Sequence, residues 1–377
     1  MNLPEVYLPA LLRGISNAGE LGRLVAPIKP ELATGEGVLS LNLEDEVLGA
    51  PSSLAEALKS AFKEWKGAEP KAIVLGESAY VLATNFDDLQ AMVQNGIGAD
   101  VSEDCRQRVV VVTGGAQGFG EGMVRSMAKT GHLVYVADLN VSKAKELCDE
   151  INGGLGHTAT LPIEVNVADE ESVANMVKAI TQAVGGVDVF VNNAGVLKAD
   201  SVKTMTSKDF EFVTDVNYRG YFYCVKAVSK VMEWMNLGSE EGYFTDIVQI
   251  NSKSGLQGSN KNGAYAGGKF GGIGLTQSFA MELVADNTKV NAICPGNFFE
   301  GPLWSDPDRG LFAQYLETGK VPGAKTIEDV KAFYESKVPM GRGCRVADVM
   351  RALYYIVEQK YETGQALPVT GGQVMLK

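Results

Sequence analysis

From residue 107 onward, seven short apolar runs alternate with longer stretches of helical periodicity. The runs fall at 109–112, 133–137, 161–165, 187–191, 245–250, 289–293 and 366–369. They are continuous rather than alternating, as strands buried on both faces of a parallel sheet are. The stretches between them, such as 172–184 and 210–234, repeat apolar residues every third or fourth position. Repeated strand–helix–strand spacing predicts an α/β fold, a Rossmann-type doubly wound parallel sheet of seven strands, in one domain over 106–377.

The first 105 residues follow another pattern. They hold 7 basic against 16 acidic residues, most of the chain's net charge of −12. Residues 52–65 read as an amphipathic helix with Ser52 or Ser53 as its cap, 71–75 as a strand and 87–93 as a second helix. Residues 1–50 carry four prolines and little periodicity, so an arm or loop is expected there, packed over another part of the assembly such as a neighbouring subunit. Polar, turn-rich sequence near 100–106 sets the boundary, making 1–105 a small N-terminal α/β extension.

Charge and composition narrow the function. The acidic balance disfavours nucleic acid and anionic membrane as partners, since both select clustered positive charge. The two histidines and five scattered cysteines form no pair with metal-ligand spacing, so no metal site is expected. The odd cysteine count fits free thiols in a reducing compartment. No apolar run has the length of a membrane span, and no secretory leader is read at the N-terminus. A cytoplasmic protein is the expectation.

The glycine string Thr113-Gly114-Gly115-Ala116-Gln117-Gly118-Phe119-Gly120 sits between a buried strand and a helix expected at 121–130. Gly114 suits a tight turn, Gly118 close approach to a pyrophosphate, and Gly120 contact between helix and strand. The helix N-terminus would supply free N–H groups and the positive dipole end. Asp138 ends the next strand, where a carboxylate accepts from both adenosine ribose hydroxyls and repels a 2′-phosphate. With no Lys or Arg in 113–120, NAD is expected over NADP.

Further motifs resemble the short-chain dehydrogenase/reductase family over about 107–377. Thr113-Gly114-xxx-Gly118-x-Gly120 is similar to its TGxxxGxG, and Asn192-Asn193-Ala194-Gly195 to its NNAG. Tyr265-xxx-Lys269 is similar to YxxxK, with Ser252 thirteen residues upstream, Asn217 within DVNYRG, and Pro295-Gly296 after the sixth strand. The resemblance implies a catalytic group of Asn217, Ser252, Tyr265 and Lys269. It implies cofactor contacts from Thr113, Gly114, Gln117, Gly118, Phe119 and Gly120, and from Asp138, Leu139, Asn166 and Val167. Asn193, Ala194, Gly195, Pro295 and Gly296 complete that set together with Tyr265 and Lys269. Asn166 stands where the family usually has Asp, and Glu300 about where a carboxamide-binding Thr would sit.

The chemistry follows from residue types. Tyr265 and Lys269 share a helix face. A free phenol titrates near ~10, and a neighbouring ammonium together with the nicotinamide charge is expected to lower it. Tyr265 can then exchange a proton with an alcohol or ketone oxygen while hydride passes to or from the cofactor. Ser252 would bond the same oxygen, and Asn217 would hold a water linking Lys269 to solvent.

The runs INSKSG, GSNKNGAYAGGKFGGIGLTQS, KVPMGRGC and TGQALPVTGGQVM resemble the polyol-phosphate dehydrogenases of that family. This implies NAD-linked interconversion of sorbitol 6-phosphate and fructose 6-phosphate. Lys253, Lys261 and Arg342 are the candidate phosphate ligands, and Asn297 fits a polar substrate. Residues 298–338, with four glycines, read as a helical lid. The alternatives are an unphosphorylated polyol or other secondary alcohol as substrate, and a non-catalytic NAD-binding regulator. The family resemblance also implies a homodimer or homotetramer through 206–234 and 263–286. Residues 71–95 resemble the end of class II sugar-phosphate aldolase domains. Without a histidine in 1–105 no aldolase activity is expected, and a docking role is the other reading of that extension.

Overall fold

The structure is a computed structural model that describes residues 7–16, 22–48, 50–66, 69–97, 107–308, 310–317, 319 and 321–375. The expected boundary at 105/106 lies outside the described residues, as does Cys105.

The N-terminal portion is more regular than its prolines suggest. Helix α1 (Leu8–Ile15) precedes strands β1 (Leu24–Ile28) and β2 (Val38–Leu41), a single turn α2 (Asp45–Leu48) and α3 (Pro51–Glu64). Strands β3 (Ala72–Leu75) and β4 (Ser78–Ala83) form a hairpin, followed by α4 (Phe86–Asn95). Gly76, at φ +58°, makes the two-residue turn between them possible. The four-stranded sheet runs β1-β4-β3-β2, with β4 antiparallel to both neighbours. Pro9 stands in the first turn of α1, where its missing N–H costs no helix bond.

The larger sheet holds seven parallel strands in the order β7-β6-β5-β8-β9-β10-β11. Its first half comprises β5 (Val109–Thr113), α5 (Gly118–Lys129), β6 (Leu133–Asp138), α6 (Val141–Leu155) and β7 (Thr160–Glu164). After α7 (Glu170–Val184) come β8 (Val189–Asn192), α8 (Ser207–Thr214), one π-helical turn (Asp215–Arg219), α9 (Gly220–Gly238) and β9 (Thr245–Ile250). The last part is α10 (Gly263–Leu283), β10 (Thr288–Pro295), the short helices α11 (Pro302–Ser305), α12 (Leu311–Glu317) and α13 (Ile327–Ser336), then α14 (Val346–Glu358) and β11 (Ala366–Val369). The helix expected at 210–234 is thus two helices joined through the π turn.

Strand β5 shows why its apolar run is continuous. Val109 and Val111 join the core under α7 and α9, whereas Val110 and Val112 join the core under α5, α6 and α14. The strand order reverses between β5 and β8, and the C-terminal ends of the strands open a crevice there.

Of the arm expected over 1–50, α1 and β1 lie on the chain's own α7 and α9. Helix α1 crosses α9 so closely that a Cβ on Gly14 would lie 2.0 Å from the Met235 carbonyl oxygen, and one on Gly238 2.6 Å from that of Leu11. Tyr7 stacks on Trp234 with ring centroids 5.4 Å apart. Lys59 donates to the Leu237 carbonyl at 2.9 Å. Ala10, Leu24 and Val81 share one apolar core with Val177, Val228 and Met235.

Candidate active site

The site lies at the crevice between β5 and β8. The glycine-rich turn after β5 and the segment after β8 bind each other. The Thr113 hydroxyl accepts from the N–H groups of Asn193 (3.0 Å) and Ala194 (3.1 Å). The Asn193 amide donates to the carbonyls of Thr113 (2.9 Å) and Gly114 (3.1 Å). Gly114 has φ +62°, and a Cβ there would press on Ala194 at 2.9 Å. Gly120 lies over the Gly114 carbonyl, which an added Cβ would meet at 2.1 Å. Thr113 and Gly120 therefore shape the turn from behind and do not line the cleft. Gly114, Gln117, Gly118 and Phe119 do line it.

The cleft has a volume of about 1080 Å³, room for a dinucleotide beside a small substrate. At one end Asp138 accepts from the N–H groups of Ala116 (3.0 Å) and Asn140 (2.9 Å), so its carboxylate is fixed in direction. Leu139, Asn166 and Val167 line the same end, and the Asn166 side chain accepts from the Ala168 N–H at 3.1 Å. Ala194, Gly195, Pro295 and Gly296 line the middle. The open N-terminus of α5, the cradle formed at Gly114 and Gly118, and Asp138 together fit a nicotinamide dinucleotide.

Tyr265 and Lys269 project from one face of α10, and Lys269 Nζ lies 5.6 Å from the Tyr265 ring centroid. Lys269 is buried and donates to the Ile250 carbonyl at 2.9 Å. Burial lowers its ammonium to about 8. The Tyr265 phenol is raised above its ordinary value, chiefly by desolvation, while its hydrogen bond with Ser252 pulls it back down. Desolvation sets the direction of the phenol's shift, and Ser252, not Lys269, is the group that counters it. Asn217 sits in the π turn, where its amide accepts from the Val196 N–H (2.9 Å) and donates to the Val196 carbonyl (2.7 Å). A Cβ on Gly195 would lie 3.2 Å from Asn217 Oδ1 and 3.8 Å from Lys269 Nζ, so glycine there keeps the two groups in one space.

The other end of the cleft carries Lys253, Lys261 and Asn297 with Ser259, Asn260 and Asn262. Lys253 is half-buried, and burial lowers its ammonium. Its ammonium has no hydrogen-bond or ion-pair partner among the described residues. Lys261 adopts φ +55° and faces the field of Asp200. Arg342 is not brought to the cleft. Its guanidinium makes a two-pronged pair with Asp348 at 2.6 and 3.0 Å, because Asp348 at the start of α14 offers it a carboxylate. Glu300 is largely exposed and turned to Arg345 at 3.7 Å.

The lid expected at 298–338 is α11, α12 and α13 around a small aromatic core of Phe299, Trp304 and Phe312. Phe298 stacks on Phe119 of the glycine-rich turn, centroids 4.2 Å apart, and both line the cleft. Tyr315 and Tyr334 line it from the lid. Phe119 is expected there from the glycine string; sequence reading gives no site role to Phe298, Tyr315 or Tyr334, since nothing in their spacing sets them apart from core aromatics.

Comparison with known proteins identifies the family. The family model described as short chain dehydrogenase matches residues 108–303. Sorbitol-6-phosphate 2-dehydrogenase of Escherichia coli K12 is 35% identical over 271 residues, 71% of this chain and 99% of the relative. Galactitol 2-dehydrogenase of Agrobacterium fabrum is 30% identical over 270 residues, 71% of this chain and 98% of the relative. The crystal structure of sorbitol-6-phosphate 2-dehydrogenase from Erwinia amylovora superposes with a TM-score of 0.64 at 38% identity, covering 71% of this chain and all of that one. The chain belongs to the short-chain dehydrogenase family and is an oxidoreductase that uses a nicotinamide cofactor on a CH–OH group.

Proposed function

We propose that this protein is an NAD-dependent dehydrogenase that interconverts a sugar alcohol phosphate and a ketose phosphate, sorbitol 6-phosphate and fructose 6-phosphate. The observation that carries the substrate class is the charge at the far end of the cleft. Two lysines, Lys253 and Lys261, border it in a chain of net charge −12, and Lys253 has no partner among the described residues. The carboxylates lining the cleft are Asp138, at the ribose end, and Asp215, already paired with Arg219 at 2.8 Å. A phosphate supplies the anion that a desolvated ammonium lacks. Asn260, Asn262 and Asn297 suit the hydroxyls of an open-chain sugar.

Tyr265 is the acid/base of this reading. Its phenol gives a proton to the ketose oxygen in reduction and takes one from the alcohol in oxidation, with Ser252 bonding the same oxygen. Lys269 borders the phenol, and Asn217 holds the water that links Lys269 to solvent. The nicotinamide supplies or accepts the hydride. Asp138 and the absence of cations in 113–120 support NAD rather than NADP. Exposed Phe222 on α9 and Phe270 on α10 support pairing with a second copy through these helices. No described helix is long and apolar enough to cross a membrane, and a cytoplasmic place fits the free buried thiols of Cys148, Cys224, Cys294 and Cys344.

The test is NADH oxidation with fructose 6-phosphate beside free fructose. Turnover restricted to the phosphate is the expected result. Equal turnover of free fructose overturns the phosphate reading and leaves a polyol dehydrogenase. Tight NADH binding with no turnover of either overturns the substrate class.

A further inference from the structure

Asn251 stands between β9 and the catalytic serine, within the run INSKSG. Its side chain is buried, with 4% exposure, yet it faces three different parts of the site. Its Oδ1 accepts from the Ser252 N–H at 2.8 Å. Its Nδ2 donates to the Lys269 carbonyl at 2.9 Å and to Gln249 Oε1 at 2.7 Å. Its own N–H donates to the Ile293 carbonyl in β10 at 2.7 Å.

The clasp between β9 and α10 is reciprocal. The Lys269 ammonium holds the carbonyl of Ile250, and the Lys269 carbonyl is held by the next residue, Asn251. Two glycines make room for it. A Cβ on Gly255 would lie 2.2 Å from Asn251 Oδ1 and 2.9 Å from the Lys269 carbonyl oxygen. A Cβ on Gly272 would lie 2.5 Å from Gln249 Nε2, so Gln249 stays in place to orient the Asn251 amide. Mutual hydrogen bonds in a buried network fix a geometry more tightly than separate bonds do.

We propose that Asn251 is a positioning residue that sets the Ser252 hydroxyl against the Tyr265 phenol by tying the Ser252 backbone to the Tyr265–Lys269 turn of α10. Ser252 is the group that opposes the desolvation of the phenol, so Asn251 acts on proton transfer through it while touching neither substrate nor cofactor. This inference rests on Tyr265 being the acid/base.

Asn251→Ala, Asn251→Asp and Tyr265→Phe are compared with the unaltered protein in NADH-linked turnover of fructose 6-phosphate or fructose, whichever is used. Asn251→Ala is expected to lower kcat roughly 10- to 100-fold, as small misplacement of a reacting group does, with KM and the Kd for NADH within about twofold. The pH midpoint of alcohol oxidation should rise, since the Ser252 hydroxyl is no longer held against the phenol. Asn251→Asp matches the amide in size and keeps the acceptor for Ser252, but loses the donor and adds a charge. Its second carboxylate oxygen faces the Lys269 carbonyl and Gln249 Oε1, so it should shift the midpoint at least as far as alanine does. Both kcat and midpoint are read per folded molecule, so a loss of stability leaves both readable. A lowered Tm with kcat and pH midpoint unchanged in both variants overturns the inference and leaves Asn251 a structural residue. Full turnover by Tyr265→Phe, or no turnover by the unaltered protein, overturns the reading beneath it and the inference with it.

Discussion

Arg13 of α1 donates to Asp188 at 2.5 Å, and both side chains are almost wholly buried. The same carboxylate accepts from the Val109 N–H at 2.6 Å and from the Tyr243 hydroxyl. One guanidinium from the N-terminal extension thus neutralises a charge at the foot of the large sheet, opposite the cleft. Removing one partner of a buried pair leaves the other uncompensated. Arg13→Met should cost about 3 to 5 kcal/mol of stability and leave kcat per folded molecule unchanged. Urea unfolding followed by circular dichroism, with activity of the soluble fraction, checks both.

The crossing of α1 over α9 gives a second test of the same union. Gly14 has no room for a methyl group beside the Met235 carbonyl. Gly14→Ala should cost roughly 1 to 3 kcal/mol, the usual range for overpacking. Deleting residues 1–97 uncovers Met235, Val231 and Val228 of the shared core, so the remainder should aggregate during expression. A soluble, well-folded remainder in gel filtration would show that the extension is dispensable.

Lys269 stands in a stability–function conflict. Burial lowers its ammonium to about 8, so the folded state binds fewer protons than the unfolded one between pH 8 and the ordinary lysine range. Stability should therefore rise with pH across that window. Lys269→Met should raise stability at pH 7 by roughly 1 to 3 kcal/mol and abolish turnover. The gain should shrink as pH climbs above 8. Melting curves of both proteins from pH 6 to 10 settle the sign.

The large sheet was legible because burial on both faces leaves an apolar run that period and length identify. The runs at 245–250 and 366–369 coincide with β9 and β11. Strand β4 escaped, although Gly76 between two apolar runs is a hairpin signal, because alternating small residues in SAYVLA blur the strand pattern. The arm over 1–50 escaped for another reason. The place of α1 is set by contact with α9 more than 200 residues away, and local sequence carries no record of such a partner. In the cleft, motif spacing reached Ser252, Tyr265 and Lys269. It did not exclude Arg342, since the pairing with Asp348 is set by the start of α14, nor reveal Asn251, whose role depends on where α10 comes to lie.

Phe298 and Phe119 link the lid to the glycine-rich turn with planes 14° apart. Stacked rings contribute about 0.5 to 1.5 kcal/mol beyond their burial. Phe298→Ala should raise the KM of both cofactor and substrate severalfold while the lid core around Trp304 keeps its fluorescence. A change confined to the substrate KM would mean that the lid closes without the turn.

Asp138 should decide which nicotinamide cofactor is used. Its oxygens are held by the N–H groups of Ala116 and Asn140, so the carboxylate is presented rather than free to turn away. A ribose 2′-hydroxyl would donate to it, and a 2′-phosphate would meet its charge. Asp138→Asn keeps the size and one acceptor but removes the charge. Lys143 of α6, whose ammonium donates at 3.2 Å to Gln117 Oε1 of the cleft lining, is then a cation beside that end. The ratio of kcat/KM for NADH over NADPH should fall at least about tenfold, the size of a ~1.4 kcal/mol change in selectivity. Adding Lys143→Ala to Asp138→Asn should return most of that loss if Lys143 receives the phosphate. An unchanged ratio in Asp138→Asn would move cofactor choice away from this carboxylate.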